Sequence, residues 1–288
     1  MRYLLPFIAT AALIGCSTYQ NDSRSGVDSA RLSQALSAQE EKAKERYNAR
    51  NPQQTIEFFG IEPGMTVVEA LPGGGWYSKI LLPYLGNDGR LIGVDYAQEM
   101  WPLFGFFSTD QIEAKKTWTA DWTKDANGWR NSGDDAYVAA FKFGDMPATL
   151  SETVDAVLFV RALHNLSRFN DQGQYLSSAL NDTMRVLKPG GIVGIVQHRA
   201  PEDAPAASVK GGRGYLKQSD VIAFMKKAGF EFVGSSEVNA NPNDQPAAED
   251  IVWRLPPTLF TSREDEMLRA KMNAIGESDR MTLKFRKP

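Results

Sequence analysis

Three glycines between two acids are the residues of this sequence best suited to hold a ligand. Val67 and Val68 lead into Glu69, the turn Pro72-Gly73-Gly74-Gly75 follows, and a second apolar run, Leu91 to Val94, ends in Asp95. Glycine has no Cβ and tolerates positive φ, so backbone there can approach a ligand closely. A carboxylate at the end of the next strand can accept both hydroxyls of a ribose. Together they point to a nucleoside-bearing ligand at the carboxyl edge of a parallel sheet. The chain has only two histidines, His164 and His198, and each follows an apolar run that reads as a strand. Ligands of open α/β sheets lie at the carboxyl ends of strands, so both imidazoles fall where a reaction would occur. An imidazole of near-neutral pKa suits a general base; the alternative is a loop histidine bonded to backbone. Arg161 and Arg199, close by in sequence, either bind an acidic substrate or pair with surface acids. Two histidines and one cysteine give no recognisable zinc spacing.

These residues need strands and helices to hold them. Strands are expected at Thr66–Ala70, Arg90–Asp95, about Ala136–Phe143, Val154–Val160, Ile192–Gln197, Phe230–Val238 and Ile251–Leu255. Between them fall helices at about Tyr77–Leu85, Phe169–Leu187 and Ser219–Ala228. Residues 28–60 read as N-terminal helices, with Asn51 as a cap before Pro52 at a first helical position. The portion Gln39 to Arg46 reads as a solvated face. Residues 96–135 exceed what one strand-to-strand connection needs and read as a helix with an inserted cap. This insertion holds four of the six tryptophans, which either line a pocket or pack the cap onto the domain. Gly211 to Gly214 reads as a flexible loop. Residues 61–258 form the main domain, and the charged tail, 259–288, is expected to be a surface helix.

The stretch Glu69 to Gly75 resembles the first motif of class I S-adenosylmethionine-dependent methyltransferases, acid-x-Gly-x-Gly-x-Gly. Glu69 stands at the acid, Gly73 and Gly75 at the second and third glycines, and Leu71 replaces the first. The turn Lys188-Pro189-Gly190-Gly191 is common in the same family, and the resemblance spans roughly residues 51–238. A dinucleotide fingerprint, Gly-x-Gly-x-x-Gly, would require glycine where Ser78 stands. The resemblance implies an α/β fold: a Rossmann-like, doubly wound, seven-stranded and mostly parallel sheet, with an antiparallel final strand and helices on both faces. It implies S-adenosylmethionine as cofactor, with Asp95 on the ribose and Glu69 near the methionine end. Gly73, Gly74 and Gly75 would cradle it, with Tyr96, Asp145 and Met146 beside the adenosine. The expected activity is methyl transfer to a small-molecule acceptor, with His164 and His198 as catalytic candidates. The alternative is a lipoprotein that keeps the fold as a non-catalytic binding module.

The N-terminus reads as a processing segment. Arg2 precedes a short apolar run, Leu4 to Ile14, too short to span a bilayer. Leu13-Ile14-Gly15-Cys16 resembles the bacterial lipoprotein cleavage box. Residues 1–15 would then be a signal peptide, Cys16 the lipidation site, and residues 16–27 a polar tether. Ser17 after the cysteine favours the outer membrane, facing the periplasm. The formal net charge of −3 offers no basic surface for nucleic acid. With 42% hydrophobic residues in a 288-residue chain, there is apolar material for a full core.

Overall fold

The computed structural model describes residues 26–130 and 133–288; the cleavage box, Cys16 and most of the tether lie outside these residues. Its strands are β1 (Thr66–Ala70), β2 (Arg90–Asp95), β3 (Tyr137–Lys142), β4 (Val154–Val160), β5 (Leu187–Ala200), β6 (Leu216–Lys217), β7 (Glu231–Ser236) and β8 (Arg280–Arg286). The sheet order is β3-β2-β1-β4-β5-β8-β7, with the short β6 beside the end of β5. Only β8 runs antiparallel to its neighbours, β5 and β7. The chain starts in the middle of the sheet, fills one side, then returns to fill the other. The reversal falls between β1 and β4, the switch point where such sheets bind ligands. This is the expected Rossmann-like, doubly wound architecture.

Both faces of the sheet are covered, which is why its central strands read as unbroken apolar runs. Val67, Leu91 and Leu158 pack under helices Ser29–Ser37, Pro52–Phe59, Ser78–Leu85 and Trp118–Trp129. Val68, Ile92, Val157 and Phe159 pack under Leu163–Arg168, Tyr175–Val186 and Gln218–Lys227. Each fully buried side chain of this kind contributes about 1.5–3 kcal/mol.

Several expectations are corrected. Ile251–Leu255 is no strand. Val252–Arg254 forms a single 3-10 turn, held by the buried Arg254–Asp244 ion pair at 2.7 Å. The antiparallel strand lies instead in the tail, as β8, where Met281, Leu283 and Phe285 are completely buried. The tail's helix is confined to Glu266–Ile275. The N-terminal region is three short helices, Ser29–Ser37, Glu41–Lys44 and Tyr47–Arg50. Asn51 does stand at the N-cap of Pro52–Phe59, with Pro52 at its first turn, but at φ 40° its side chain caps nothing and donates instead to the Val238 carbonyl at 2.7 Å.

The insertion divides its aromatics between packing and pocket. Trp122 is buried against the sheet, with Trp118 stacked on it and Trp129 edge-on. Trp101 instead joins Tyr96, Phe104 and Phe107 on the other face. A Cβ on Gly93 in β2 would come within 2.9 Å of the Trp122 ring. Gly93→Val should therefore destabilise the protein by about 1–3 kcal/mol through overpacking. Urea denaturation measures this, and a wild-type midpoint would show that the cap is not seated on β2.

Candidate functional site

β1 carries Glu69 into the protein, where it is buried and accepts a 2.5 Å hydrogen bond from Ser78 Oγ. Burial pushes the carboxyl up to about 7, against the pull of Ser78 and of the Arg161 charge. The turn that follows is built without the first glycine. Leu71 takes φ 56°, a left-handed conformation costing an L-residue roughly 1–2 kcal/mol. Packing of its side chain against the core and a 2.7 Å bond from its N–H to the Val94 carbonyl hold it there. Gly73 and Gly74 line a cavity of about 500 Å³, and a Cβ on either would meet nothing within 4 Å. Gly75 differs from its neighbours: a Cβ there would lie 2.4 Å from Trp129, so its lack of a side chain serves packing.

Asp95, at the end of β2, is also buried, and its Oδ2 has no hydrogen-bond partner. Burial pushes this carboxyl up to about 6. Tyr96 lines a second, aromatic cavity of about 620 Å³, and its hydroxyl accepts from Asn165 Nδ2 at 2.9 Å. The two cavities share Asn165, Trp253 and Thr258 as walls. Of the expected cofactor residues, Glu69, Gly75, Asp95, Asp145 and Met146 are not among those that line either cavity. Asp145 is exposed on the turn after β3, and Met146 is packed into the core.

His164 and His198 do meet, with ring centroids 5.6 Å apart, and both line the glycine-walled cavity. Gln197 Nε2 donates to the Gly214 carbonyl at 2.9 Å, which turns its Oε1 to His164 Nδ1 at 3.4 Å. That arrangement places the imidazole proton on Nδ1 and leaves Nε2 with the lone pair. Burial lowers the His164 pKa to about 4 and takes His198 well below the ordinary imidazole value. His198 Nδ1 lies 2.6 Å from Ser278 Oγ. The glycine-rich loop is a packed support: a Cβ on Gly211 would fall 1.9 Å from the His164 carbonyl oxygen.

The two arginines separate. Arg199 pairs with Glu237 at 2.7 Å and Asp279 at 2.8 Å on the surface. Arg161 lies in the cavity wall at φ 58°, and its guanidinium makes no hydrogen bond or ion pair to a described residue. Sequence reasoning missed Arg46, Arg50, Trp76, Trp253 and Glu277, which all line the same cavity. Arg46 and Arg50 stood four apart in a helical stretch, where like charges repel. That spacing signals a shared anion, and Glu277 partly meets the need, bonding Arg46 Nε at 2.7 Å and Arg50 Nε at 3.4 Å. Among the described residues no cluster of metal-ligating side chains occurs.

The raised Glu69 pKa has a consequence for stability. In the unfolded chain this carboxyl titrates near 4.5 and in the fold near 7. The folded state therefore binds the extra proton in that window, and Glu69's contribution is lost as pH rises through it. Glu69→Gln keeps an acceptor for Ser78 and carries no charge. It should match wild type near pH 4 and exceed its stability at pH 8 by about 3 kcal/mol, an upper figure from the full shift. Urea denaturation at both pH values tests this; equal stabilities at pH 8 would mean that Glu69 is solvated.

No protein-family model matches the sequence, and no curated protein matches it. Among solved structures, the [4+2]-cyclase SpnF aligns over 83% of this chain and 81% of its own, with a TM-score of 0.52 and 16% identity. A SAM-dependent methyltransferase from Aquifex aeolicus aligns over 91% of this chain and 99% of its own, with a TM-score of 0.49 and 16% identity. Geranyl diphosphate C-methyltransferase from Streptomyces coelicolor A3(2) aligns over 85% and 82%, with a TM-score of 0.49 and 14% identity. At 16% identity the likeness to the cyclase supports the fold alone, and the chemistry rests on the residues of the site.

Proposed function

We propose that this chain is an S-adenosylmethionine-dependent methyltransferase acting on a small molecule. The observation that carries this reading is the buried, partnerless Oδ2 of Asp95 at the end of β2; the residue before it, Val94, accepts from Leu71 N–H at the start of the turn whose Gly73 and Gly74 line the cavity. A buried acceptor without a donor is costly, and a ribose hydroxyl satisfies it. Gly73 and Gly74 leave room for ligand against the backbone, as the empty space over both indicates. Glu69, before the same turn, would serve the methionine end. When bound, the cofactor supplies an electrophilic methyl group, so the protein's work is alignment and exclusion of water. His164 Nε2 is the acceptor for a proton held on the attacking atom. Its neutral form prevails at pH 7 because burial has lowered its pKa. The fold alone does not decide the activity, since the cyclase named above shares it.

The test is calorimetric titration of the full-length chain with S-adenosylmethionine and S-adenosylhomocysteine. Micromolar binding of either supports the reading, and absence of both returns the chain to the binding-module alternative. In His164→Ala, turnover should fall while cofactor affinity stays; unchanged turnover would remove the base. We further propose that Cys16 is lipidated and holds the chain in the bacterial envelope, on the outer membrane facing the periplasm. The support is the apolar run ending in Leu13-Ile14-Gly15-Cys16. Cys16→Ser should move the protein from membrane to soluble fractions, and a variant that stays with the membrane sinks the anchor.

A further inference from the structure

The cavity beside Gly73 has an unbalanced charge. Arg46, Arg50 and Arg161 line it, and Arg280 stands behind them, buried. A single carboxylate, Glu277, serves three of these guanidiniums: Arg46, Arg50 and Arg280, the last at 3.2 Å. Arg50 also lies over the Trp76 ring, 4.7 Å from its centroid, which fixes its guanidinium without supplying a full negative charge. Arg161 makes no hydrogen bond or ion pair to a described residue. Even with Glu69 ionised, four positive groups face two negative ones. Charges withdrawn from water are ordinarily paired, because an unpaired one loses its hydration with nothing in return. The surplus therefore calls for an anion from outside the chain.

The cofactor does not cancel the surplus. S-adenosylmethionine carries one carboxylate, one ammonium and one sulfonium, so its arrival adds a net positive charge to the site. The negative charge has to come with the second ligand. We propose that the methyl acceptor is an anion, whose phosphate or carboxylate docks on the Arg161 guanidinium between β4 and the helix Tyr47–Arg50, with Arg46 just before it. The inference rests on the methyl-transfer reading for the ligand's role, and on the arginines alone for its charge. A guanidinium presents a planar fork of donors that fits either oxyanion bidentately. The neighbouring His164 is then beside the acceptor rather than beside the cofactor's adenosine, which Asp95 holds on the far side of β1. A docked anion also places negative charge near two neutral imidazoles, which favours their protonated form as the acceptor's proton departs.

Calorimetric titration of the full chain with inorganic phosphate and with benzoate, each with and without saturating S-adenosylhomocysteine, tests this. The expected result is saturable one-to-one binding of at least one probe. Stronger binding of phosphate assigns a phosphate acceptor, and stronger binding of benzoate a carboxylate. Arg161→Gln should weaken that binding at least about tenfold and leave S-adenosylhomocysteine affinity within about twofold. Should Arg161→Gln melt early, Arg46→Gln is read in its place, with a severalfold loss expected. Absence of saturable binding of both probes overturns the proposal. So does an equal loss of anion and S-adenosylhomocysteine affinity in Arg161→Gln, which would give the arginine to the cofactor's carboxylate. Phosphate binding without any S-adenosylhomocysteine binding overturns the acceptor role together with the methyl-transfer reading. S-adenosylhomocysteine binding without anion binding overturns the anion alone.

Discussion

Asp95→Ala should weaken S-adenosylhomocysteine binding by about a hundredfold or more, with little change in the melting temperature of the ligand-free protein. A carboxylate that accepts two ribose hydroxyls makes two charge-assisted bonds, each worth roughly 1.5–3 kcal/mol, and every 1.4 kcal/mol is about a factor of ten. The small stability effect follows from what Asp95 lacks. Its Oδ2 bonds to nothing, and burial holds its pKa near 6. Its folded-state pKa is raised above the ordinary 3.8, so its contribution is present at acid pH and lost as pH rises through about 6. At pH 8 the ligand-free protein loses nothing when this charge is removed. Calorimetry and a thermal melt on the same sample check both halves. Retained affinity would remove Asp95 from the ribose site, and a collapsed melt would make it a structural acid.

The part of the site carried by sequence-local motifs was legible in advance. Glu69, Gly73, Gly74 and Asp95 sit on two consecutive strand ends, and their spacing alone puts them on one edge. His164 and His198 were legible for the same reason, since His164 lies just beyond β4, at the start of the helix Leu163–Arg168, and His198 lies near the carboxyl end of β5. Gly75 and Asp145 were less so, because which side of a turn a residue faces depends on its tertiary neighbours. For Gly75 that neighbour is Trp129, from the insertion. The basic wall was hidden because Arg46, Arg161 and Glu277 are brought together from three distant segments. Arg46 lay in a stretch whose polar composition resembles any solvated helix, and its partner Glu277 is 231 residues away.

The same hidden distance explains the tail, and it sets the largest stability effect. Residues Arg280–Arg286 alternate strictly, with Met281, Leu283 and Phe285 apolar and the residues between them polar. That period of two is a strand signal, outweighed in the reading by the charge around it. Apart from Arg286 at the exposed end, the polar positions are held by protein rather than water. Thr282 accepts from Asn239 Nδ2 at 3.0 Å, Lys284 donates to the Phe58 carbonyl at 3.2 Å, and Arg280 donates to the Ala49 carbonyl at 2.7 Å. Each is satisfied by a segment that the sequence does not place nearby, so from Arg280 to Leu283 both faces of β8 are buried. Ending the chain after Ile275 would remove the strand that joins β5 to β7 and three fully buried apolar side chains. At about 2–5 kcal/mol for each large-to-small loss, the three side chains alone amount to about 6–15 kcal/mol, as much as the roughly 5–15 kcal/mol that holds such a protein folded. The truncated chain should show no cooperative melt, and Phe285→Ala should cost about 3–5 kcal/mol on its own. A truncated chain that still unfolds cooperatively, with wild-type enthalpy, would mean that β8 is an ornament on a sheet already complete at β5.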